Sequence, residues 1–288
     1  MDMIAAELDA TGDFEPVERI DGRADAGALV LCDHARNAFP PQYGTLGLPR
    51  EALERHIAYD IGGAWLARRL AARLDAPALL STFSRLLIDP NRGADDPTLV
   101  MRYSDGAIVP GNARVDEAEI DRRIRLYWRP YRDAVQAQTE AMLATGKPPA
   151  IVSVHTFTPS WRGVPRPWKV GVLWDADPRF PSALLAALAE GGLASHEIGD
   201  NEPYDGGLQG DTIDAVATAR GLSNVLIEVR QDLVATQSEA EAWADRLADM
   251  IARALQTPGV REPRNFGSRI VAGARHRDRA DAARAPMK

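Results

Sequence analysis

Leu29-Val30-Leu31-Cys32 runs directly into Asp33-His34-Ala35-Arg36-Asn37. The apolar run is short and unbroken, as expected for a strand buried on both faces of a parallel sheet, and polar chemistry starts where it stops. The same arrangement recurs downstream. Leu86-Leu87-Ile88 runs into Asp89-Pro90-Asn91-Arg92, Ile151-Val152-Ser153-Val154 into His155, and Val225-Leu226-Ile227 into Glu228-Val229-Arg230. Ligands of open α/β sheets bind just beyond the carboxyl ends of the strands. As neighbouring strands, these runs would deliver two imidazoles, a carboxylate and several arginines to one sheet edge. That is the inventory of a metal-assisted hydrolase acting on an anionic substrate.

Working outward, strands alternate with helical segments along most of the chain. Glu51 to Leu74 carries a helical period through Leu53, Ile57, Ile61, Trp65 and Leu70, with Gly62-Gly63 marking close packing or a break. Ala78 to Phe83 reads as a strand, followed by Leu86 to Ile88 as another. Residues 93–114 form a long polar loop, of the kind that is usually functional or disordered. Asp116 starts a helix to about Thr145 that Pro130 kinks or splits. Lys169 to Trp174 and Ser195 to Ile198 read as strands, Ser182 to Glu190 and residues 211–220 as helices, and Glu239 to Leu255 as a closing amphipathic helix. This alternation predicts one α/β domain over residues 25–256. Its layers are αβα around a mainly parallel mixed sheet, an architecture of the phosphorylase/hydrolase kind. Residues 1–24 read as a loose lead-in, and residues 257–288 as a disordered arginine-rich tail.

Composition narrows the function classes. The 288 residues carry a net charge of -7, which argues against nucleic acid as a general partner. No apolar stretch approaches the roughly 20 residues needed to span a membrane. The first residues, Met1-Asp2-Met3-Ile4, lack the basic region and apolar core of a secretion signal. With Cys32 as its single cysteine the chain can form no internal disulfide, which fits a reducing cytoplasm.

His34 and His155 are the first candidates for metal ligands, because neutral imidazole is a good zinc donor and both stand at strand ends. The alternative is that each is a hydrogen-bonded structural histidine. A third ligand is open at this stage. Asn37, three residues after His34, is the candidate, with Asp33 and Asp60 as competitors; His56 and Asp60 lie at i, i+4 spacing on the expected helix. Glu228 is placed to take a proton from water and return it to a leaving amine. Arg85 is placed to steady a developing oxyanion. Asn91 and Arg92, joined by Arg230, offer a grip for a substrate carboxylate. Cys32 is not read as a nucleophile: neighbouring strand residues point to opposite faces, so it diverges from Asp33.

Taken together, these segments resemble a known family. Cys32 to Pro40, Tyr43-Gly44-Thr45-Leu46-Gly47-Leu48, His56-Ile57-Ala58-Tyr59-Asp60, Ser84 to Arg92, His155-Thr156-Phe157-Thr158-Pro159 and Ile227 to Leu233 match, in order, motifs of the N-formylglutamate amidohydrolases. The resemblance spans roughly residues 25–255. It implies a zinc-dependent exopeptidase-like fold, a divalent metal (zinc), and hydrolysis of a small N-acyl amino acid such as N-formylglutamate. A fainter likeness to the aspartoacylase and carboxypeptidase groups implies that His34 and His155 are ligands and that Asn37 stands where a ligand Glu would be. It also implies that Glu228 is the base, that Arg85 polarises the carbonyl, and that Asn91 and Arg92 hold the carboxylate. The chain departs from the family pattern at Arg36, where Ser is usual, and at Arg132 and Val216, where His is expected. Those departures keep open a catalytically altered relative that binds a small carboxylate or peptide without cleaving it.

Overall fold

The computed structural model describes residues 14–270. The chain opens with β1 (Val17–Ile20), β2 (Ala28–Cys32), α1 (Arg50–Leu53), α2 (Gly63–Leu74) and β3 (Ala78–Ser81). A hairpin of β4 (Tyr103–Ser104) and β5 (Ala107–Ile108) precedes α3 (Glu117–Arg123) and α4 (Arg129–Leu143). Next come β6 (Ala150–Phe157), the hairpin of β7 (Ser160–Trp161) and β8 (Val164–Pro165), β9 (Val170–Leu173), α5 (Arg179–Glu190) and β10 (Ile198–Asp200). The chain closes with α6 (Thr212–Val216), β11 (Asn224–Arg230) and α7 (Gln237–Leu255). No helix among the described residues is long and apolar enough to cross a membrane.

The main sheet has seven strands in the order β1-β3-β2-β6-β11-β9-β10. Its centre is parallel, β3 with β2, β2 with β6 and β6 with β11. Antiparallel pairs flank that centre, β1 on β3 and β9 on β11, so the sheet is mixed and mainly parallel. Side-chain alternation sorts the strands into two cores. Val30, Val152 and Ile227 pack with Leu66 of α2, Leu184 of α5 and Ile251 of α7 on one face. Leu29, Leu31, Ile151 and Leu226 pack with Tyr131 and Val135 of α4 and Ile213 and Val216 of α6 on the other. The result is the three-layer α/β fold expected from the sequence. Ser153 and His155 share parity with Ile151, and Glu228 with Leu226. The polar chemistry therefore continues the second face at the carboxyl ends of the strands.

Several elements differ from the sequence reading. Leu86 to Ile88 is a buried turn rather than a strand. Leu87 N donates to Ser84 O at 2.9 Å, and the Leu86 and Leu87 carbonyls accept from Asn112 Nδ2 at 2.7 Å and Arg123 Nη1 at 2.8 Å. Side chains thus replace the strand ladder, and apolar content alone does not distinguish the two solutions. The expected helix over Glu51 to Leu74 breaks into α1 and α2. Gly62 adopts φ 83°, and a Cβ there would lie 2.4 Å from Val234 O, so only glycine fits this bend. His56 and Asp60 consequently do not share a helix face: His56 Nε2 lies 3.2 Å from Asp105, while Asp60 turns inward. Between α3 and α4 the helical backbone continues through a wide π turn at Ile124–Trp128, and Pro130 stands directly after it, as the second residue of α4.

Both expected loose ends are partly ordered. Val17–Ile20 of the lead-in forms β1, and residues 1–13 lie outside the described residues. From the expected tail, Val260 is buried, Arg264 N donates to Gly221 O at 2.8 Å, and Arg179 donates to the carbonyls of Gly259 and Glu262. Low apolar content is offset there by backbone groups that find partners. The tail beyond residue 270 lies outside the described residues.

Gly171 is paired with Glu228 across β9 and β11, and a Cβ on it would lie 2.2 Å from Glu202 O. Gly171→Ala should therefore displace the 201–206 loop and lower stability by about 1–3 kcal/mol in chemical denaturation. An unchanged midpoint would show that this close approach is not a constraint.

Candidate active site

The end of β2 supplies Asp33 and, one residue later, His34; β6 supplies His155. Asp60 arrives from the broken segment before α2, anchored by its N–H, which donates to His34 O at 2.9 Å, and by Gly63 N, which donates to Asp60 O at 3.0 Å. The imidazoles of His34 and His155 lie 4.9 Å apart between centroids. Asp60 Oδ2 sits between them, 2.9 Å from His155 Nδ1 and 3.5 Å from His34 Nδ1. All three side chains are buried, and one ligand atom from each falls within 4.8 Å of the others.

The outer ring nitrogens are held in place. His34 Nε2 donates to Asp89 Oδ1 at 2.7 Å. His155 Nε2 lies 3.1 Å from Ser153 Oγ and 3.4 Å from Asp33 Oδ2. Asp33 in turn accepts from Thr212 Oγ1 at 2.7 Å and from Ser153 Oγ at 3.0 Å. Metal-binding histidines characteristically hand their second N–H to a carboxylate or similar acceptor, which fixes the ring and its tautomer. Here both rings have that backing, and both Nδ1 atoms face Asp60. His34 Nδ1 and Glu228 Oε2 are buried without a hydrogen-bond partner among the described residues. Buried polar atoms left in this way call for a partner such as a cation or a bound water. Two imidazoles and a carboxylate are a donor set suited to a catalytic divalent metal, so the residues present fit one.

The remaining predicted residues separate into those near this cluster and those occupied elsewhere. Arg85 Nη2 donates to Asp89 Oδ2 at 2.9 Å and Nη1 stands 3.6 Å from Asp60 Oδ1, so its charge borders the cluster. Asn91 is buried beside it; its N–H donates to Asp89 Oδ1, and its Oδ1 accepts from Thr212 N. Arg92 is half-buried next to Asn91, and Trp128 Nε1 donates to its carbonyl. Asn37 donates its amide N–H to Leu53 O at 2.8 Å, and Asp60 is the side chain set between the histidines. Arg230 is committed to structure: it donates to Asp232 and, through Nη1, to the carbonyls of Arg166, Pro167 and Trp168. Asp89 was visible in the sequence, but its role as the partner of His34 was not, because the two stand 55 residues apart.

The residues that depart from the family pattern lie off the cluster. Arg36 donates to Glu18 near the surface. Arg132 donates to Gly210 O and stacks over Trp128. Val216 is packed in the apolar core between the sheet and α4. None of them places an atom between His34, Asp60 and His155.

Electrostatics follow from this packing. Burial opposes ionisation of Asp60, but the two histidines outweigh it and hold its carboxyl well below the usual range. Burial likewise opposes the charge of His155, and hydrogen bonds to Asp33 and Asp60 raise its pKa to about 10. Asp89 is also depressed: burial pushes it up, and the charges of Arg85 and His34 prevail. Glu228 goes the other way. Burial and the nearby Asp60 raise it to about 8 against the pull of His155 and Arg85.

The profile of the N-formylglutamate amidohydrolase family matches residues 26–235. A gene product of Agrobacterium tumefaciens is similar in structure, with a TM-score of 0.79 and 34% identity over 88% of this chain and 97% of that one. An N-formylglutamate amidohydrolase from Ralstonia eutropha JMP134 shares the fold, with a TM-score of 0.60 and 21% identity over 83% of this chain and 99% of that one. Among curated proteins, none matches the chain.

Beside the cluster, Asp211 caps α6 by accepting from Asp214 N at 2.7 Å, and burial raises its pKa to about 7. A folded pKa above the unfolded value of about 3.9 means that its contribution is fully present below that value and is lost as pH rises through the folded pKa. Asp211→Asn keeps the cap acceptor without the charge. Relative to the parent, the variant should gain about 1–4 kcal/mol between pH 4 and pH 8 in denaturant titrations. A pH-independent difference would refute this account of Asp211.

Proposed function

Because the chain belongs to the N-formylglutamate amidohydrolase family and is a hydrolase of amide bonds, we propose that it removes a short acyl group from an N-acyl amino acid such as N-formylglutamate, at a divalent metal centre built on His34, His155 and Asp60. One observation carries this reading: both Nδ1 atoms turn toward one carboxylate oxygen while both Nε2 atoms are backed by buried polar partners. Asp60 takes the place considered for Asn37, whose amide is engaged by Leu53 O. Zinc suits two imidazoles and a carboxylate.

A divalent cation bound there would supply a Lewis acid that lowers the pKa of water and of nearby groups, Glu228 among them. The chain's own residues do the rest. Glu228, buried on β11 with Oε2 unpaired, takes the proton of the attacking water and returns it to the departing amine nitrogen. Arg85, held by Asp89, presents fixed positive charge to the carbonyl oxygen as it becomes an oxyanion. Asn91 and Arg92 orient the substrate through a carboxylate. Asp33, Asp89 and Ser153 keep the two rings in register, so little reorganisation is needed during reaction.

Two measurements test this reading. Elemental mass spectrometry of protein purified without chelator should find about one zinc or similar ion per chain, lost in the His34→Ala/His155→Ala double variant. Protein that carries no such ion and takes up none from added zinc would refute the metal centre. Glu228→Gln should lower kcat on N-formylglutamate by roughly 10²–10⁴ with the fold retained, and full turnover in that variant would remove Glu228 as the base.

A further inference from the structure

Asp60 reaches the cluster from the irregular stretch between α1 and α2, whereas His34 follows β2 directly and His155 belongs to β6. A side chain on such a stretch needs anchors of its own to be held as closely as one on a strand. The sheet provides a place for them. Ala150 N donates to Gly27 O at 2.9 Å and Ile151 N to Ser223 O at 2.9 Å, so even-numbered residues of β6 turn their backbone groups toward β2 and odd-numbered ones toward β11. β2 stops at Cys32, and its last partner on β6 is Ser153. β6 itself runs on to Phe157. The N–H and C=O of Thr156 therefore face the side of β6 from which β2 has gone, and buried backbone groups in that position require other partners.

Both groups find them, one in Asp60 and the other in Gln231. Thr156 N donates to Asp60 Oδ2 at 3.2 Å, the same oxygen that stands 2.9 Å from His155 Nδ1. Thr156 O accepts from Gln231 Nε2 at 3.3 Å. A carbonyl oxygen can only accept, so it fixes which end of the Gln231 amide faces Thr156. That nitrogen also donates to Thr156 Oγ1 at 3.2 Å, and the hydroxyl gives its single proton to Ile61 O at 2.9 Å. Gln231, Thr156 and Ile61 thus form a one-way chain of donors that ends on the residue after Asp60. Gln231 opens the turn that follows β11, three residues beyond Glu228. The same turn meets the next residue of the stretch, because Gly62 has no room for a Cβ beside Val234 O. Asp60 is therefore held at its carboxylate by β6, and the backbone that follows it is held by Thr156 and the 231–234 turn. Thr156 and Gln231 are both buried, so a donor lost from either leaves a buried acceptor unpaired.

We propose that Thr156, oriented by Gln231, is the positioning residue that sets Asp60 between the two histidines, and that its hydroxyl thereby raises the affinity of the site for a divalent cation. That role deepens the metal-centre reading of the same residues and rests on it. Thr156 acts through its own N–H and through the Ile61 carbonyl, so neither its side chain nor that of Gln231 has to touch the ion. Loss of the hydroxyl releases Ile61 O, and Asp60, one residue earlier, is then free to turn away from the imidazoles. Groups that orient a metal ligand are worth about 10–100-fold in metal affinity.

The test is zinc affinity, measured on metal-free protein by competition with a chromophoric chelator, with the His34→Ala/His155→Ala variant as the blank for adventitious sites. Thr156→Val exchanges the hydroxyl for a methyl group of similar size and should weaken zinc binding about 10–100-fold. Gln231→Met should weaken it severalfold, and Thr156→Ser, which keeps the hydroxyl, by about twofold at most. A hydroxyl with a structural role alone would lower the melting temperature of the metal-free protein and leave the zinc dissociation constant where it was. Parent affinity in Thr156→Val overturns the proposal, and so does a loss in Thr156→Ser as large as that in Thr156→Val. Should Thr156→Val fail to fold, Gln231→Met stands in for it, and parent affinity there overturns the proposal as well. A parent protein that binds no zinc beyond the blank removes the metal centre and this role together. Zinc binding by the parent with no loss in the variants removes this role alone.

Discussion

Three carboxylates, Asp33, Asp60 and Asp89, are buried around two imidazoles, and the surrounding structure is organised to keep that charge tolerable. A buried ion is expensive unless it is paired and hydrogen-bonded. Asp89 is met by Arg85 and His34, Asp33 by Thr212 and Ser153, and Asp60 by both histidines and by Thr156 N. These partners come from several separate stretches of chain, with β6 alone supplying Ser153, His155 and Thr156. The requirement to satisfy these groups thus ties β2, β6, the 54–62 segment, the 84–92 turns and α6 to one point. Substituting any one of them would leave a neighbouring charge uncompensated.

The sheet supplies the rigidity that this arrangement needs. Val30, Val152 and Ile227 point to one core, and Leu29, Ile151 and Leu226 to the other, so each central strand is clamped on both faces. A one-residue slip in β6 would send Ser153 and His155 into the apolar layer with α2 and α7, at a cost that fixes the register. Groups that must be held to within a fraction of an ångström are better carried on strand ends than on free loops. Where loops do contribute, they are pinned. Asp60 is held by backbone bonds to His34 and Gly63, and the 201–206 loop by Asn201.

The arginines show how one residue type divides its work. Arg123 is fully buried and holds the Leu87 carbonyl, Asn112 Oδ1 and Glu119; Arg230 holds the carbonyls of residues 166–168; Arg85 is held by Asp89 beside the cluster. Arg166 differs from these because its guanidinium lies among aromatic rings, with Nη1 donating to Thr158 and the Tyr204 hydroxyl. Sequence position does not separate these roles, since Arg85, Arg92 and Arg230 all follow apolar runs. What separates them is which acceptors the fold brings within reach, and Arg230 loses its expected role to the nearby carbonyls for that reason.

The sequence by itself determined the layer architecture, the strand that leads into His34, the strands that carry His155 and Glu228, and the family. Those properties are local, or repeat with the period of a strand or helix, and apolar patterning records them directly. It also brought Arg85, Asp89, Asn91 and Arg92 forward as a group. Only the tertiary structure decided that Asp60, not a residue near His34 in the chain, stands between the histidines, because a glycine bend at Gly62 breaks the helix on which spacing had placed it. The same holds for the buried turn at Leu86 to Ile88, which is as apolar as a strand but spends its carbonyls on Asn112 and Arg123. Partnership between residues 55 or 95 positions apart leaves no local pattern to read. It is set by which carboxylates must share a low-dielectric interior, and that is known only once the chain has closed around them.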